Sequence, residues 1–292
     1  MTGFTRATGA VPHLHHPAIT PRARHGFFGT AGGVSSGDYA SLNCGFGSQD
    51  DAALVARNRN LVRAEMGLAP GRLAAVYQVH GHQALLAENL MDDTGALPER
   101  GSLPRADGLV TTTPGIGLSI LTADCLPLLL VDERGGVAGA CHAGWRGAAA
   151  GIVGATVALM RDQGAGRITA LIGPTIQQPS YQVGRDMRTD LLDSVSPSIR
   201  DAAARCFHPD GEDHYRFDLA GLVRRQLAAE EVIDILDCGI DTYAALDPDP
   251  GAESGSDHDS SLDSVAYFSH RRATHAGAAD CGRQIAVIAL AG

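Results

Sequence analysis

Three short segments of this 292-residue chain each place a soft or borderline metal ligand after an apolar run. His80 lies in "QVHG", Cys125 in "TADC" and His142 in "CHAGWRG". Strand ends and the turns after them are where rigid scaffolds hold functional side chains. Two imidazoles and one thiolate form a ligand set used by catalytic zinc, and the same set accepts copper. A metal held this way lowers the pKa of a bound water toward ~7.

Each of these residues also has an ordinary structural interpretation. A histidine at a strand end commonly finds a hydrogen bond and no metal, and a buried cysteine behaves as a small hydrophobic side chain. The intervals between residues 80, 125 and 142 match no short zinc motif, so the metal hypothesis requires the segments to meet in the fold. Cys141 should point to the opposite face of the strand from His142, and we expect it in the core.

The segment "CHAGWRG" also contains a candidate anion site. A helix is predicted to begin near Gly147, and a helix N-terminus with Arg146 beside it is suited to phosphate. The alternative for Arg146 is a salt bridge to a surface carboxylate. Asp124, next to Cys125, is a candidate for orienting a histidine ligand or for acting as a base. Its alternative is a turn-forming role.

The elements that must position these residues form a mixed pattern. Periodicity and end signals predict helices over 51–66, after residue 147 and after an N-cap at Asp218. Apolar runs predict strands in "GIGLSILTADCLPLLLVD", broken at Thr122 to Pro127, and in "GGVAGACHA", "ITALIGP" and "RQIAVIAL". Because strands and helices alternate only in part, we expect a mixed α/β or α+β sandwich of layered sheets flanked by helices.

Composition limits the class of protein. The formal net charge is −10 without a basic stripe, so nucleic acid is a poor candidate partner. No run approaches the ~18 apolar residues of a membrane span, and no secretory signal is visible, so we expect a cytoplasmic protein with no membrane contact. In a cytoplasmic protein, cysteines scattered along the chain are expected to be free thiols. The six cysteines are Cys44, Cys125, Cys141, Cys206, Cys238 and Cys281.

Several of these motifs together resemble one family. "HGFFGTAGGVSSGDYASLNCGFGSQDD", "YQVHG", "TADCLP", "CHAGWRG" and "FDLAGLVRRQL" are similar to the YfiH family, also called the laccase-domain or multicopper polyphenol oxidase family and described as purine nucleoside phosphorylases. The resemblance covers about residues 25–292. It implies a single catalytic domain there with an α/β/β/α sandwich. From the sequence itself, we expect residues 1–24 to form a loose N-terminal arm. An acidic Gly/Ser-rich stretch at 247–263 is expected to be a loop insertion.

The resemblance also implies an activity and a site. The implied reactions are phosphorolysis of adenosine, inosine and S-methyl-5′-thioadenosine, together with deamination of adenosine. The implied metal is zinc, with copper possible, and its ligands, which are also catalytic, are His80, Cys125 and His142. The implied partners are a purine nucleoside and phosphate. Further candidates are Asp124 for catalysis and, for substrate binding or bracing, Arg146, Asn43, Arg59 and Gln78.

This chain departs from the family pattern in three places. Asp241 stands in "DTY" where the family often has cysteine, and the segment around Gln178, "GPTIQQPSY", contains no cysteine. "SHRR" appears in place of Ser-Tyr-Arg-Arg. These differences leave the three ligand candidates intact and bear on substrate preference.

Other function classes remain as alternatives. In a thiol hydrolase or amidase acting on peptide or peptidoglycan precursors, Cys125 is the nucleophile and His80 or His142 its base. A copper-dependent polyphenol oxidase needs several copper sites, whereas the candidate ligands make at most one mononuclear site. A non-enzymatic binding module would leave these polar strand-end groups without a use that offsets their cost to stability.

Overall fold

The computed structural model of the chain describes residues 3–91, 100–245 and 266–292. Within these residues, two six-stranded mixed sheets and one three-stranded sheet are formed. The first sheet has the order β1 (Thr5–Ala7), β2 (His13–His15), β3 (Ala23–Phe28), β15 (Gln284–Leu290), β7 (Gly117–Thr122), β4 (Leu73–Ala74). The second has the order β14 (Asp234–Asp237), β10 (Ile168–Ile172), β8 (Leu126–Asp132), β9 (Ala138–Ala143), β6 (Gly108–Thr111), β5 (Ala84–Leu86). The third is β11 (Gln182–Gly184), β13 (His214–Phe217), β12 (Phe207–Pro209).

Helices cover the outer faces of the two large sheets. Val62 and Met66, in and directly after α1, pack on the outer face of the first sheet, where they meet Val287. Helices α3 and α6 pack on the outer face of the second sheet, where Val157 and Val223 share a core with strand β8. The helices are α1 (Ala52–Glu65), α2 (Trp145–Ala150), α3 (Ile152–Asp162), α4 (Arg185–Ser194), α5 (Arg200–Ala204), α6 (Leu219–Ala229) and α7 (His270–His275). The expected layered sandwich of mixed sheets and helices is confirmed.

Strand β8 shows why the apolar runs of this sequence are continuous. Leu128 and Leu130 face the helices, whereas Leu129 and Val131 face the first sheet, and all four are fully buried. A strand covered on both faces needs apolar residues at every position, and each fully buried Leu or Val contributes roughly 1.5–3 kcal/mol.

Capping hydrogen bonds confirm two of the predicted helix starts. The Asp51 carboxylate accepts a hydrogen bond from the backbone N–H of Ala53, and the Asp218 carboxylate accepts one from Gly221. Each bond satisfies an N–H that has no partner within its helix. The helix predicted after residue 147 begins earlier, at Trp145, and is divided by Gly151, whose φ of 94° is left-handed.

The loose arm predicted over residues 1–24 is not what the structure shows for residues 3–24. Strands β1 and β2 extend the first sheet by antiparallel pairing onto β3, and Phe4, Leu14 and Ile19 are buried. The strands are only three residues long and are separated by turns, so no alternation long enough to signal a strand appears in the sequence. The acidic stretch at 247–263 lies outside the described residues. No helix among the described residues has the length and apolar character to cross a membrane.

Candidate metal and catalytic centre

The fold brings the three predicted ligands together. His80 lies in the loop after β4, and His142 is the penultimate residue of β9. Cys125 lies in the turn that carries the chain from β7 in the first sheet to β8 in the second. One ligand atom from each of the three residues lies within 4.8 Å of the others. The site therefore forms at one end of the sandwich, where both sheets contribute backbone.

The spacing of this cluster suits one bound metal ion. Cys125 Sγ and His80 Nε2 are 3.9 Å apart, close to the roughly 3.5 Å separation expected for sulfur and nitrogen ligands on one zinc ion. The His80 and His142 rings lie 4.7 Å apart at 78°. A Cβ atom on Gly144 would lie 2.8 Å from His80 Cδ2 and 2.9 Å from Cys125 Sγ. Glycine at position 144 therefore keeps open the space between the ligands.

Asp107 holds two of the three ligands. Its fully buried carboxylate accepts a 2.8 Å hydrogen bond from His142 Nδ1, which leaves Nε2 of that ring for a metal. The same carboxylate accepts the backbone N–H groups of Val79, His80 and Gly81 at 3.1, 3.0 and 2.7 Å. Burial acts to raise the pKa of Asp107, but the bonds from His142 and Gly81 hold it below its ordinary value.

The thiol and imidazole of the cluster polarise one another. Burial alone raises the pKa of Cys125, but the charge and hydrogen bond of His142, followed by those of His80, bring it below its ordinary value. Burial alone lowers the pKa of His142, but Cys125 and Asp107 raise it above its ordinary value. The site thus favours a thiolate facing positive charge, and the thiolate is the form of cysteine that binds metals.

Asp124 does not orient a ligand histidine, contrary to that part of the prediction. Its carboxylate accepts hydrogen bonds from the Thr242 hydroxyl at 2.7 Å and from the backbone N–H of Arg271 at 2.6 Å. These bonds hold a left-handed backbone, with φ of 81°, that is costly for a residue with a side chain. Asp124 therefore ties the Cys125 turn to the start of α7, and Asp107 is the residue that orients His142.

Two cavities meet at the ligand cluster. The first, of about 340 Å³, extends from the cluster past Phe46, Tyr77 and Leu121. The second, of about 310 Å³, is bordered by Trp145, Arg146 and, among others, Tyr181 and Arg271. Both walls share His80, Ala123, Cys125 and His270. A reaction centred on the cluster is therefore accessible from two sides with different chemistry.

Arg59 lies in the wall of the first cavity as a fully buried cation. Its guanidinium is stacked 4.6 Å from the centroid of Phe46 and donates to the Cys44 carbonyl and the Ser119 hydroxyl, both at 3.3 Å. Its Nε has no hydrogen-bond partner, and it forms no salt bridge within the described residues. Burial lowers the pKa of Arg59. A buried cation without a carboxylate favours an electron-rich ligand in this cavity.

The other predicted substrate contacts divide into bracing and exposed positions. Asn43 is fully buried, and its amide is used by Ser48, Asp50 and the backbone N–H groups of Gly45 and Arg283. The Gln78 amide bonds both the N–H and the carbonyl of Leu121 at 2.8 Å, although the residue lines the first cavity. Arg146 is exposed in the second cavity, where its guanidinium lies 4.2 Å from the Trp145 ring centroid. Asn43 and Gln78 thus brace loops of the site, and Arg146 faces solvent and ligand.

The buried Cys141 is confirmed as a core residue. Asp241, at the position where the related pattern has cysteine, accepts a 2.6 Å bond from the Ser180 hydroxyl and so fixes the loop that leads to Tyr181. Asp107, which is important to the geometry, was not singled out from the sequence. His270 and Arg271 were noted only as part of "SHRR", without a role at the site. Asp107 directly precedes a buried strand, which is close to the signal that identified the ligands.

Fold and centre together define a layered α/β sandwich that carries a two-histidine, one-cysteine site between two cavities. A family model described as "multi-copper polyphenol oxidoreductase laccase" matches residues 24–291, and the chain belongs to this family.

Curated relatives carry the name purine nucleoside phosphorylase. The protein of that name from Deinococcus radiodurans is 39% identical over 227 residues, which cover 77% of this chain and 81% of the relative. "Purine nucleoside phosphorylase ORF3" of Streptomyces griseus is 37% identical over 187 residues, covering 63% of this chain and 73% of the relative.

Solved structures share the fold over nearly the full chain. Bacillus licheniformis YfiH superposes with a TM-score of 0.81 at 25% identity and covers 98% of this chain and 99% of its own. YlmD from Geobacillus stearothermophilus has a TM-score of 0.80 at 27% identity, with 99% of both chains covered.

Proposed function

We propose that this protein is a metal-dependent purine nucleoside phosphorylase that also deaminates adenosine. Its proposed substrates are adenosine, inosine and S-methyl-5′-thioadenosine with phosphate, and its proposed metal is zinc, with copper as the alternative. The observation that carries the proposal is the placement of the His80, Cys125 and His142 cluster between two cavities with different walls. The relatives named purine nucleoside phosphorylase support it.

The nucleoside is assigned to the first cavity. Its wall offers the aromatic rings of Phe46 and Tyr77, which suit the face of a purine. Arg59 presents its buried positive charge there, which favours the electron-rich acceptor atoms of a purine ring. Binding in this cavity places a bound nucleoside against the ligand cluster.

Phosphate is assigned to the second cavity. The cationic side chains of Arg146 and Arg271 lie in its wall, and neither forms a salt bridge within the described residues. An arginine whose charge is not already matched by a carboxylate can bind phosphate in bidentate fashion. Phosphate held here lies in a different cavity from the base, with His80 and Cys125 of the cluster in the wall of both.

The metal contributes Lewis acidity when bound, which suits activation of water for attack at C6 during deamination. The residues of this chain hold and orient it: His80, Cys125 and His142 as ligands, and Asp107 as the acceptor that fixes the His142 ring. Described residues provide a single three-ligand cluster, whereas a multicopper oxidase needs several copper sites. The oxidase alternative is therefore the weaker one.

Product analysis by chromatography tests the proposal. Purified protein incubated with adenosine is expected to release adenine and ribose 1-phosphate only when phosphate is present, and inosine whether or not phosphate is present. His80→Ala and Cys125→Ala should each lower both activities by at least about 100-fold, because ligand loss removes the metal. Absence of all these products from the wild type, or full activity in both variants, would overturn the proposal. Metal content of the same preparations tests the zinc assignment separately.

A thiol hydrolase is the second candidate, and one geometric observation favours it. Asp107, His142 and Cys125 stand in the carboxylate, imidazole, thiol order of a cysteine-dependent triad. Chelation separates the two candidates. A thiol hydrolase retains its activity without metal and loses it on alkylation of Cys125, whereas the proposed phosphorylase loses its activity on chelation and regains it with zinc.

A further inference from the structure

We propose that His270 is the proton donor to the purine leaving group during phosphorolysis. This inference rests on the proposed function and adds a catalytic residue to it. His270 begins α7 and lies in the walls of both cavities, alongside the metal-ligand candidates His80 and Cys125. It is therefore placed where a base in one cavity and phosphate in the other would meet.

The residues around His270 hold its backbone in place. The Ser269 hydroxyl accepts a hydrogen bond from the backbone N–H of Arg272, and the N–H of Arg271 donates to Asp124 at 2.6 Å. The guanidinium of Arg271 donates to the Gln182 carbonyl at 2.7 Å. The guanidinium of Arg272 donates to three backbone carbonyls, those of Thr242, Tyr243 and Tyr267. Side chains before and after His270 are thus used to fix the segment.

The imidazole of His270 is itself left available. It is exposed, and it forms no hydrogen bond or salt bridge within the described part of the chain. A ring fixed through its backbone but free at both nitrogens can reach a ligand and exchange protons with it. A histidine that served only to hold the fold would have its ring nitrogens bonded, as His25 does through Nε2 and Nδ1.

No other ionisable group in the two described cavity walls is as well suited to donate a proton to the purine. Once the three metal-ligand candidates are set aside, the ionisable side chains lining the cavities are arginines, tyrosines and the Asp124 carboxylate, in addition to His270. Arginine and tyrosine hold their protons too tightly, and Asp124 is engaged by Thr242 and Arg271. Histidine alone among these types has an ordinary pKa near neutrality, which suits a general acid.

The proton balance closes with this residue. A phosphate oxygen forms the new bond to C1′ as the bond from C1′ to N9 breaks, and the electron pair of that bond stays on the purine. Protonated His270 donates its ring proton to the purine at N7, so the base leaves neutral. The hydroxyl proton of the attacking hydrogen phosphate returns to His270, which ends the cycle protonated.

Leaving-group dependence tests the assignment. Inosine needs a proton on its base to leave, whereas the base of 7-methylinosine already carries a positive charge and leaves without one. His270→Gln is expected to lower kcat for inosine phosphorolysis by about 10²–10⁴-fold, while kcat for 7-methylinosine falls by less than about 10-fold. His275→Gln is the matched control, because His275 lies on the same helix, bonds the Tyr243 hydroxyl and lies outside both cavity walls.

Each outcome decides the question. Retention of inosine phosphorolysis in His270→Gln within about 3-fold, or an equal loss with both substrates, would overturn the general-acid role while leaving the proposed function standing. If the wild-type protein phosphorolyses neither inosine nor 7-methylinosine, both the general-acid role of His270 and the proposed function are contradicted. Zinc content and melting temperature of His270→Gln should match the wild type, which separates loss of the proton donor from loss of the fold.

Discussion

The Asp107 carboxylate lies 2.8 Å from His142 Nδ1 and, through its two oxygens, also binds the three N–H groups of the Val79 to Gly81 segment. One buried side chain therefore positions both histidines of the cluster, one by its ring and the other by its backbone. His80 adopts a left-handed backbone, with φ of 60°, which these hydrogen bonds stabilise. The relationship connects residues that are far apart in the sequence and explains how the imidazoles converge.

Asp107→Asn is expected to weaken metal binding by about 10–100-fold and to lower the free energy of unfolding by about 3–5 kcal/mol. Asparagine has nearly the same shape, but it brings an N–H₂ donor toward groups that are already donors. Chelator competition measures the metal affinity, and denaturant unfolding measures the stability.

Asp132→Asn is the control for this substitution. Asp132 is also buried and accepts the N–H groups of Gly166 and Arg134, but it lies outside both cavity walls. It should cost stability without changing metal affinity. Equal metal affinity in Asp107→Asn and the wild type would show that the carboxylate only supports the fold.

Gly144→Ala is expected to reduce bound zinc sharply, because the new Cβ would lie within 3 Å of both His80 and Cys125. These contacts are shorter than van der Waals separation, so one ligand must move away from the metal position. Gly184→Ala is the matched control, since a Cβ on Gly184 would meet no heavy atom within 4 Å beyond its chain neighbours, and its φ is −83°. Elemental analysis of both purified variants makes the comparison. Full zinc occupancy in Gly144→Ala would argue against a metal at this position.

The sequence predicts those residues of the site that a local pattern marks, and not those whose role depends on contacts with distant residues. His80, Cys125 and His142 each follow an apolar run, so local pattern identified them as candidates, and the fold brings them together. Asn43 and Gln78 have the residue types of ligand contacts, but their amides are already hydrogen-bonded within the fold. Gln78 bonds Leu121, and one of the Asn43 bonds comes from the N–H of Arg283. Such long-range hydrogen bonds have no local pattern, and for the same reason the sequence does not identify Asp107. His270 is visible in the sequence only as part of the departure "SHRR", which assigns it no role.

The secondary-structure elements likewise divide into those that a local pattern predicts and those that depend on distant partners. Long apolar runs such as β8 and capped helices such as α1 were predicted, because double burial and capping leave marks in neighbouring residues. The short strands β1 and β2 were not, since their pairing depends on β3 being available as a partner. Tertiary context decides the structure of such short segments.

Arg59→Met and Arg146→Met are expected to affect different substrates. Loss of the buried Arg59 donors should raise KM for inosine by about 10-fold or more, since a charged hydrogen bond contributes about 1.5–3 kcal/mol. Loss of Arg146 should raise KM for phosphate and leave KM for inosine nearly unchanged. Steady-state kinetics with each substrate varied in turn measures both constants. The reverse pattern would exchange the two cavity assignments, and unchanged constants would contradict them.

Arg59→Met should also leave the free energy of unfolding unchanged or increase it. Arg59 is buried without a carboxylate, so replacing it removes a charge whose desolvation opposes folding. Denaturant unfolding in the absence of substrate measures this effect. A marked loss of stability would indicate that Arg59 supports the fold and would weaken its assignment to substrate.

His25 should make the stability of the protein depend on acidity. The pKa of His25 is lowered to about 4, mainly by burial. The charges of the neighbouring residues His15, His13 and His16 contribute smaller amounts to this lowering. In the fold, His25 Nε2 accepts a 2.8 Å bond from the backbone N–H of His16, and Nδ1 lies 3.1 Å from the Ala23 carbonyl. Both nitrogens are thus satisfied by a neutral ring, and a proton on Nε2 would break the bond from His16.

Between pH 4 and the ordinary pKa of 6.5, the unfolded chain therefore binds a proton at His25 that the folded chain does not. Stability is present above pH 6.5 and falls as the pH drops toward 4, by up to about 3 kcal/mol from this residue. His25→Gln should flatten the curve of unfolding free energy against pH, whereas the exposed His208→Gln should not. Because every other ionisable group is the same in the wild type and His25→Gln, the difference between their curves isolates His25. Parallel curves for wild type and His25→Gln would contradict this explanation and place the acid sensitivity elsewhere.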